Sequence, residues 1–294
     1  MNLIELLAEP LSYTFMIRAL SVTIIASVLC ALLSCWLVLI GWSLMGDAVS
    51  HAVLPGVVLA YIVGAPFALG ALIFGFLAVA LIGGVRDTTR LKEDAAIGIV
   101  FTTLFSFGLV LISVTPSHID LNHIIFGNLL GVSSTDLWQV LILGAVTFSI
   151  LILKRKDFTL YAFDQTHAHA LGMNPRLIGA ALLGLLAMTS VVALQAVGVI
   201  LVVAMLIIPG ATAFLLTDKF SKMLIIAPVV AACAGILGVY VSYFLDASTG
   251  GMVVLAQGLI FTVVYLFSPR QGLIATRVAA RDRRKSLASA HRAA

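Results

Sequence analysis

The stretch GWSLMGDAVSHAVLPGVVLAY, residues 41–61, sets Asp47 and His51 four residues apart between runs of apolar side chains. On an α-helix, residues i and i+4 share a face, with Cβ atoms about 6 Å apart, so the two side chains converge on one point. A carboxylate at bilayer depth costs about 2.5–3.5 kcal/mol on insertion scales, and something must offset that cost. Carboxylate plus imidazole suits a divalent transition ion such as Mn, Fe or Zn. Two ligands are too few for such an ion. A second subunit, or backbone carbonyls near Pro55–Gly56, would have to complete the shell. The competing structural reading has Asp47 and His51 bonding each other, or Asp47 capping a helix that starts near Gly46.

The surroundings decide how strange this pair is. Of 294 residues, 62% are hydrophobic and 10% charged, where soluble proteins average about 25% charged. Mean hydropathy is +1.16. Apolar segments of about 20 residues recur along the chain, the signature of helices that cross a membrane. Short alternating segments of the β-barrel kind are not evident. Backbone groups in lipid must be satisfied within the segment, so the expected fold is all-α, a polytopic helical membrane protein of about eight or nine transmembrane helices. It reads as a single membrane domain over 1–294, with a helical core at 13–268 and a basic tail at 269–294. No cleavable signal peptide is expected, since the first apolar stretch is too long for one. Cys30, Cys35 and Cys233 read as small packing residues within apolar runs.

The formal charge of +4 matters less than its placement. Lys and Arg gather at Arg18, at 86–92, at 154–156 with Arg176, at Lys219 and Lys222, and in the tail. The positive-inside rule assigns such places to the cytoplasm; the connections near 64–66, 115–136, 196–198 and 245–250 carry neither residue and face the other side. Expected spans are 16–44, 51–63, 67–85, 95–114, 137–153, 177–196, 198–216, 223–244 and 251–268. The short segment 51–63 holds Pro55 and Gly56. If it re-enters, there are eight spans and Arg18 is cytoplasmic; if it crosses, there are nine and the N-terminus lies outside. Arg18 favours eight. The basic tail reads as a solvated cytoplasmic segment, with no nucleic-acid partner.

Every other carboxylate has a connection to sit in: Glu5, Glu9, Asp87, Glu93, Asp94, Asp120, Asp136, Asp157, Asp164, Asp218, Asp246 and Asp282. Asp47 alone reads as flanked by apolar sequence with no loop nearby. His118, Asp120 and His123 sit in the long outer connection without clean helical spacing and read as solvated. The FGNLLG that follows, with Gly127, Asn128 and Gly131, interrupts the apolar pattern where the chain would re-enter the membrane. Gly198, Pro209 and Gly210 read as packing and kink positions, and Gln195 as a helix–helix hydrogen bond.

GDAVSHAVLPGVVLAY resembles the corresponding segment in permease subunits of ABC-type importers for manganese, iron or zinc. LKEDAAIGIVFTTLFSFGLVL (91–111), HIDLNHIIFGNLLGVS (118–133) and VGVILVVAMLIIPGATAFLLT (197–217) resemble that family too, in the expected order over about residues 13–268. The resemblance implies a permease whose path is lined by Asp47 and His51, with the metal as substrate and no permanently bound cofactor. It implies a second permease subunit, identical or related, an extracytoplasmic metal-binding protein, cytoplasmic ATP-binding subunits, and a multi-pass place in the inner cell membrane among its lipids. The wording of GNLLGVS and the basic tail are more similar to the manganese and iron branch than to the zinc branch. In FDQTHAHALGMNPRL (163–177), Asp164 suits an N-cap and Gly172 a C′ residue ahead of Pro175. The spacing Asp164, Ala168, Gly172 resembles the loop by which such permeases dock on their ATPases, the small residues admitting close approach. No GxxxxGK[ST] loop is present, so ATP hydrolysis is expected on a separate chain and the chain is not expected to be an enzyme. The absence of HExxH disfavours a membrane zinc protease. A zinc importer and a proton-coupled carrier using Asp47 are the remaining alternatives.

Overall fold

A computed structural model describes residues 9–115, 131, 134–268 and 272–274. Among the described residues, regular structure is helical throughout, beginning with a 3-10 turn at Glu9–Ser12. The helices are α1 (Thr14–Ile40), α2 (Ser43–Ala52), α3 (Leu54–Val63), α4 (Phe67–Thr88), α5 (Glu93–Val114), α6 (Ser134–Leu153), α7 (Arg155–Phe163), α8 (Gln165–Ala170), α9 (Pro175–Val197), α10 (Val199–Leu216), α11 (Phe220–Leu245) and α12 (Thr249–Phe267). Seven stretches are long and apolar enough to cross a membrane, with α2 and α3 counted as one span, Ser43–Val63. An eighth forms if the pair α6–α7, bent by 63°, is one span, and α10 is a shorter apolar helix. The expected class, a polytopic all-helical membrane protein, is the observed one.

The N-terminal third departs from the expected boundaries. α1 ends at Ile40 because Gly41 adopts a left-handed φ of 89°. The amides of Gly41 and Trp42 both donate to the Leu37 carbonyl, and the chain turns at once into α2. Asp47 therefore lies six residues beyond a tight connection, contrary to its reading as remote from any loop. The expected segment 51–63 is only the second part of a 21-residue span. Pro55 has no N–H, so the His51 carbonyl loses its usual i+4 donor, and the helix is jointed at Val53 between α2 and α3.

That span crosses. At its start, Trp42 packs on Tyr161 of α7, ring centroids 6.1 Å apart, beside the basic connection 154–156. At its end it turns into α4, whose 22 residues, about 33 Å at helical rise, return to the basic end. There Arg86 pairs with Asp87 at 3.1 Å and Glu93 at 3.3 Å, tying α4 to α5. α1 runs antiparallel to α11: Tyr13 lies 6.2 Å from Tyr243, while the Cys35 thiol donates to the Met223 carbonyl. Tyr13 and Arg18 thus stand at the end away from Lys219 and Lys222. Among the described residues the spans number seven, or eight with the bent α6–α7 pair, against the expected eight or nine.

α1 is the centre, packed by α11, α10, α9 and α6. Cys30 and Cys35 are buried in it, Cys233 is exposed on α11, and all three are free. α4, α5, α11 and α12 turn much of their surface outward, including Ile73, Val110, Ile225 and Leu259. In water so much exposed apolar surface would be a liability; against lipid it is the expected face. In α10, Pro209 removes the amide that would bond the Met205 carbonyl, and beside it Ser34 of α1 donates to the Ile207 carbonyl at 3.4 Å and accepts from the Gly210 amide at 3.1 Å.

α3 and α4 approach backbone to backbone at Gly56 and Gly70, where a Cβ on either would meet the other's carbonyl oxygen. Neither peptide group can yield without unwinding its helix. Gly56→Val and Gly70→Val are each expected to lower the Tm in detergent, by an overpacking cost of about 1–3 kcal/mol or more. Gly83→Ala, with open space around it, is expected to leave the Tm unchanged or slightly raised; equal Tm values for all three would refute the crossing.

Candidate metal centre

α2 begins at Ser43 with Trp42 as its N-cap, so Asp47 lies in the helix and caps nothing. Asp47 and His51 stand one and two turns in, about 6 and 12 Å along the axis from Ser43, in the part of the span nearer the basic connections. His51 Nε2 and Asp47 Oδ1 are 3.4 Å apart. That is long for a good hydrogen bond, typically about 2.7–3.2 Å. An ion in tetrahedral geometry with donors at about 2.1 Å holds them ~3.4 Å from each other. The spacing therefore suits two ligands of one ion better than a closed ion pair. Both side chains are partly accessible, Asp47 at 36% and His51 at 23%.

Neighbouring helices aim the imidazole. Its ring sits 5.4 Å from Phe101 and 5.1 Å from Phe105, both on α5, the second contact edge-on. Nδ1 is buried and, among the described residues, has no hydrogen-bond partner. Metal-bound histidines usually donate their second nitrogen to an acceptor that fixes the ring; here two phenyl walls hold it instead. Behind the site, Gly46 lets the Leu206 side chain of α10 come to 3.0 Å of where a Cβ would be. Ser50 is buried and donates back to the Gly46 and Asp47 carbonyls at 2.9 Å. Gly56 packs against Gly70 of α4.

Among the described residues no group of three or more His, Cys, Asp and Glu side chains comes together. Among the described residues the pair offers two donors on an accessible face. His118, Asp120 and His123, the glycine-rich segment that follows at Gly127 and Asn128, and the tail from 275 onward lie outside the described residues, as does the Gln195 side chain.

At the basic end, Asp164 is the N-cap of α8, accepting the His167 amide at 2.9 Å. Gly172 takes φ 81°; its amide donates to His169 O, and that of Met173 donates to Ala168 O, a Schellman closure. Asn174 then caps α9 through the Arg176 and Leu177 amides. The expected capping roles of Asp164 and Gly172 are the observed ones. Ala168 needs correction: it is 0% exposed, so its small size seats α8 on its own chain and does not itself receive another protein. The surface α8 and its flanks present is Phe163, 63% exposed, and Leu171, 62% exposed, neither singled out in the sequence. Phe101 and Phe105 were missed as well; their i,i+4 spacing was visible, but not that their face meets α2.

The model of the ABC 3 transport family matches residues 12–268. The chain is 50% identical over 269 residues to the manganese transport system membrane protein MntB of Synechocystis sp., covering 92% of this chain and 88% of that protein. It is 46% identical to the chelated iron transport system membrane protein YfeC of Yersinia pestis, over 96% of both. Its fold matches PsaBC from Streptococcus pneumoniae, solved in complex with Fab, with a TM-score of 0.84 and 36% identity, over 92% of this chain and 98% of that one.

α8 has only six residues, too few to persist alone in water, so its caps matter. Asp164→Ala is expected to cost about 1 kcal/mol and to speed amide exchange over 165–170 roughly fivefold, with Asp164→Asn close to wild type. Unchanged exchange in the alanine variant would show that the cap contributes nothing.

Proposed function

The chain belongs to the ABC 3 transport family, and on that footing we propose that it is the membrane-spanning subunit of an ATP-driven importer for a divalent transition metal, manganese or iron. The observation that carries this reading is the Asp47–His51 pair, held 3.4 Å apart and accessible within a spanning helix. The names of relatives such as the manganese protein MntB and the iron protein YfeC support the choice of metals. The donor pair itself also fits zinc.

Two copies of the chain, or this chain and a related one, face each other across the path. Each contributes one carboxylate and one imidazole, giving four donors where a single chain has two. A metal-binding protein outside the inner cell membrane delivers the ion. ATP-binding subunits inside dock on the surface around α8, through Phe163 and Leu171 and the loop shaped by Asp164 and Gly172. Their closure changes how the two α2 helices face each other, and the ion is released when the four donors no longer converge. No covalent step is needed. Because ligation requires a neutral imidazole and an ionised carboxylate, protons compete with the metal.

Asp47→Ala and His51→Ala are each expected to reduce manganese and iron uptake into cells at least tenfold, with the protein still in the membrane. Wild-type uptake of manganese, iron and zinc by both variants would remove the pair from the mechanism. Uptake is also expected to fall as external pH is lowered from about 7.5 to about 5, through the range where imidazoles gain a proton. Faster uptake at the acid end would point instead to proton coupling.

A further inference from the structure

The bend of 63° between α6 and α7 opens a groove of about 810 Å³ at the basic end of the bundle, on the outer surface. Its walls come from four helices. Leu32 of α1, Ile152 of α6, and Leu224 and Ile225 of α11, with Leu160 and Phe163 of α7 and Phe220 of α11, form the apolar part; Arg155 and Lys156 of α7 and Ser221 of α11 form the rim. Leu32 lies eight residues before the end of α1, about 12 Å along the helix, so the groove runs from the interface into hydrocarbon depth.

The charges are one-sided. No carboxylate lines the groove. The nearby Asp157 is taken by Lys154 at 3.1 Å, while among the described residues Arg155 and Lys156 are exposed and in no ion pair. Lys219 and Lys222 flank the Phe220–Ser221 edge and are exposed too. The Thr159 hydroxyl is already engaged, accepting from Trp36 Nε1 at 3.2 Å and donating to Arg155 O at 2.6 Å, which fixes α7 over the groove. Phe158 and Tyr161 anchor the same helix from beneath.

A wall at hydrocarbon depth beneath a rim of unpaired cations matches an amphiphile with an anionic head and apolar tails. We propose that this groove binds one anionic phospholipid of the cytoplasmic leaflet, its phosphate on Arg155 and Lys156 and its acyl chains along Leu32, Ile152, Leu224 and Ile225. Basic pockets between helices on this side of a membrane favour such headgroups. Phe163, at one edge of the groove, is shared with the surface proposed for the ATP-binding subunits; Ile152 and Ile225 are not part of that surface. The inference stands on the membrane fold and charge placement, and is independent of the metal reading.

The test is native mass spectrometry of the delipidated full chain in neutral detergent, with phosphatidylglycerol or phosphatidylcholine added. Phosphatidylglycerol is expected to be retained over phosphatidylcholine. Arg155→Gln with Lys156→Gln is expected to weaken that retention roughly 30-fold, about fivefold for each cation. Ile225→Trp, at a position 68% exposed and so tolerant of substitution, is expected to weaken it with the charges intact. Arg90→Gln with Lys92→Gln, at another basic connection, is expected to change nothing. Equal retention of the two lipids by the wild-type chain, which needs no variant, overturns the proposal. So does unchanged retention in the Arg155/Lys156 variant, or displacement by an equal concentration of inorganic phosphate, which would leave only an anion on the rim. Loss of the lipid on adding the ATP-binding subunits would give the groove to that partner and also overturn it.

Discussion

In hydrocarbon, no water is present to bond a free amide or carbonyl, so each backbone group must be satisfied by the protein itself. That constraint makes every described span a helix, and it makes every interruption conspicuous. At Gly41–Trp42 two amides fold back on Leu37. Beside Pro209 the Ser34 hydroxyl bonds the Ile207 carbonyl and the Gly210 amide. At Val53–Pro55 a carbonyl loses its helical donor directly after His51. These interruptions lie in or beside α1, α2 and α10, the helices that position or back the Asp47–His51 pair; of the outward-facing helices, α11 carries Pro228 within it, while α4, α5 and α12 hold no internal proline.

Burial and exposure are sorted by the same logic. α1 is surrounded by protein, so its face toward α10 can carry Ser34 and admit Gly210 at close range. The outer helices present Ile, Leu, Val and Phe to lipid, and charge returns at connections such as those where α4 meets α5, where α6 bends into α7 and where α11 begins at Lys219 and Lys222. Arg86 with Asp87 and Glu93, and Lys154 with Asp157, are half-exposed pairs of modest worth; their value lies in fixing two connections on one side of the molecule.

Much of this was legible in the sequence. Hydropathy gave the long apolar helices from 67 onward to within three residues at each end, since nothing there competes with the apolar pattern. It failed between 40 and 63 because Gly41 and Trp42 break α1 without a polar residue to mark the turn, and so the start of α2 was missed. Arg18, a lone cation near a helix end, says little about which side it faces beside the Tyr13–Tyr243 and Cys35–Met223 contacts. Asp47 and His51 were legible because i,i+4 spacing is a local property. The phenyl walls from Phe101 and Phe105 and the burial of Ala168 were not, because they depend on which helix meets which, a matter settled only by packing across distant sequence.

The metal-bearing helix has a mechanical peculiarity. α2 is only ten residues long, with a two-residue turn at one end and a joint at Val53 at the other. α3 beyond the joint is clamped to α4 through Gly56 and Gly70. Such a piece has a pivot at each end, at Gly41–Trp42 and at Val53, while the half beyond the joint is clamped to α4. Any tilt of it would carry Asp47 and His51 along and would have to slide against α4, α5, α9 and α10, which pack on it, so the pair's aim is set jointly by two joints and four neighbours.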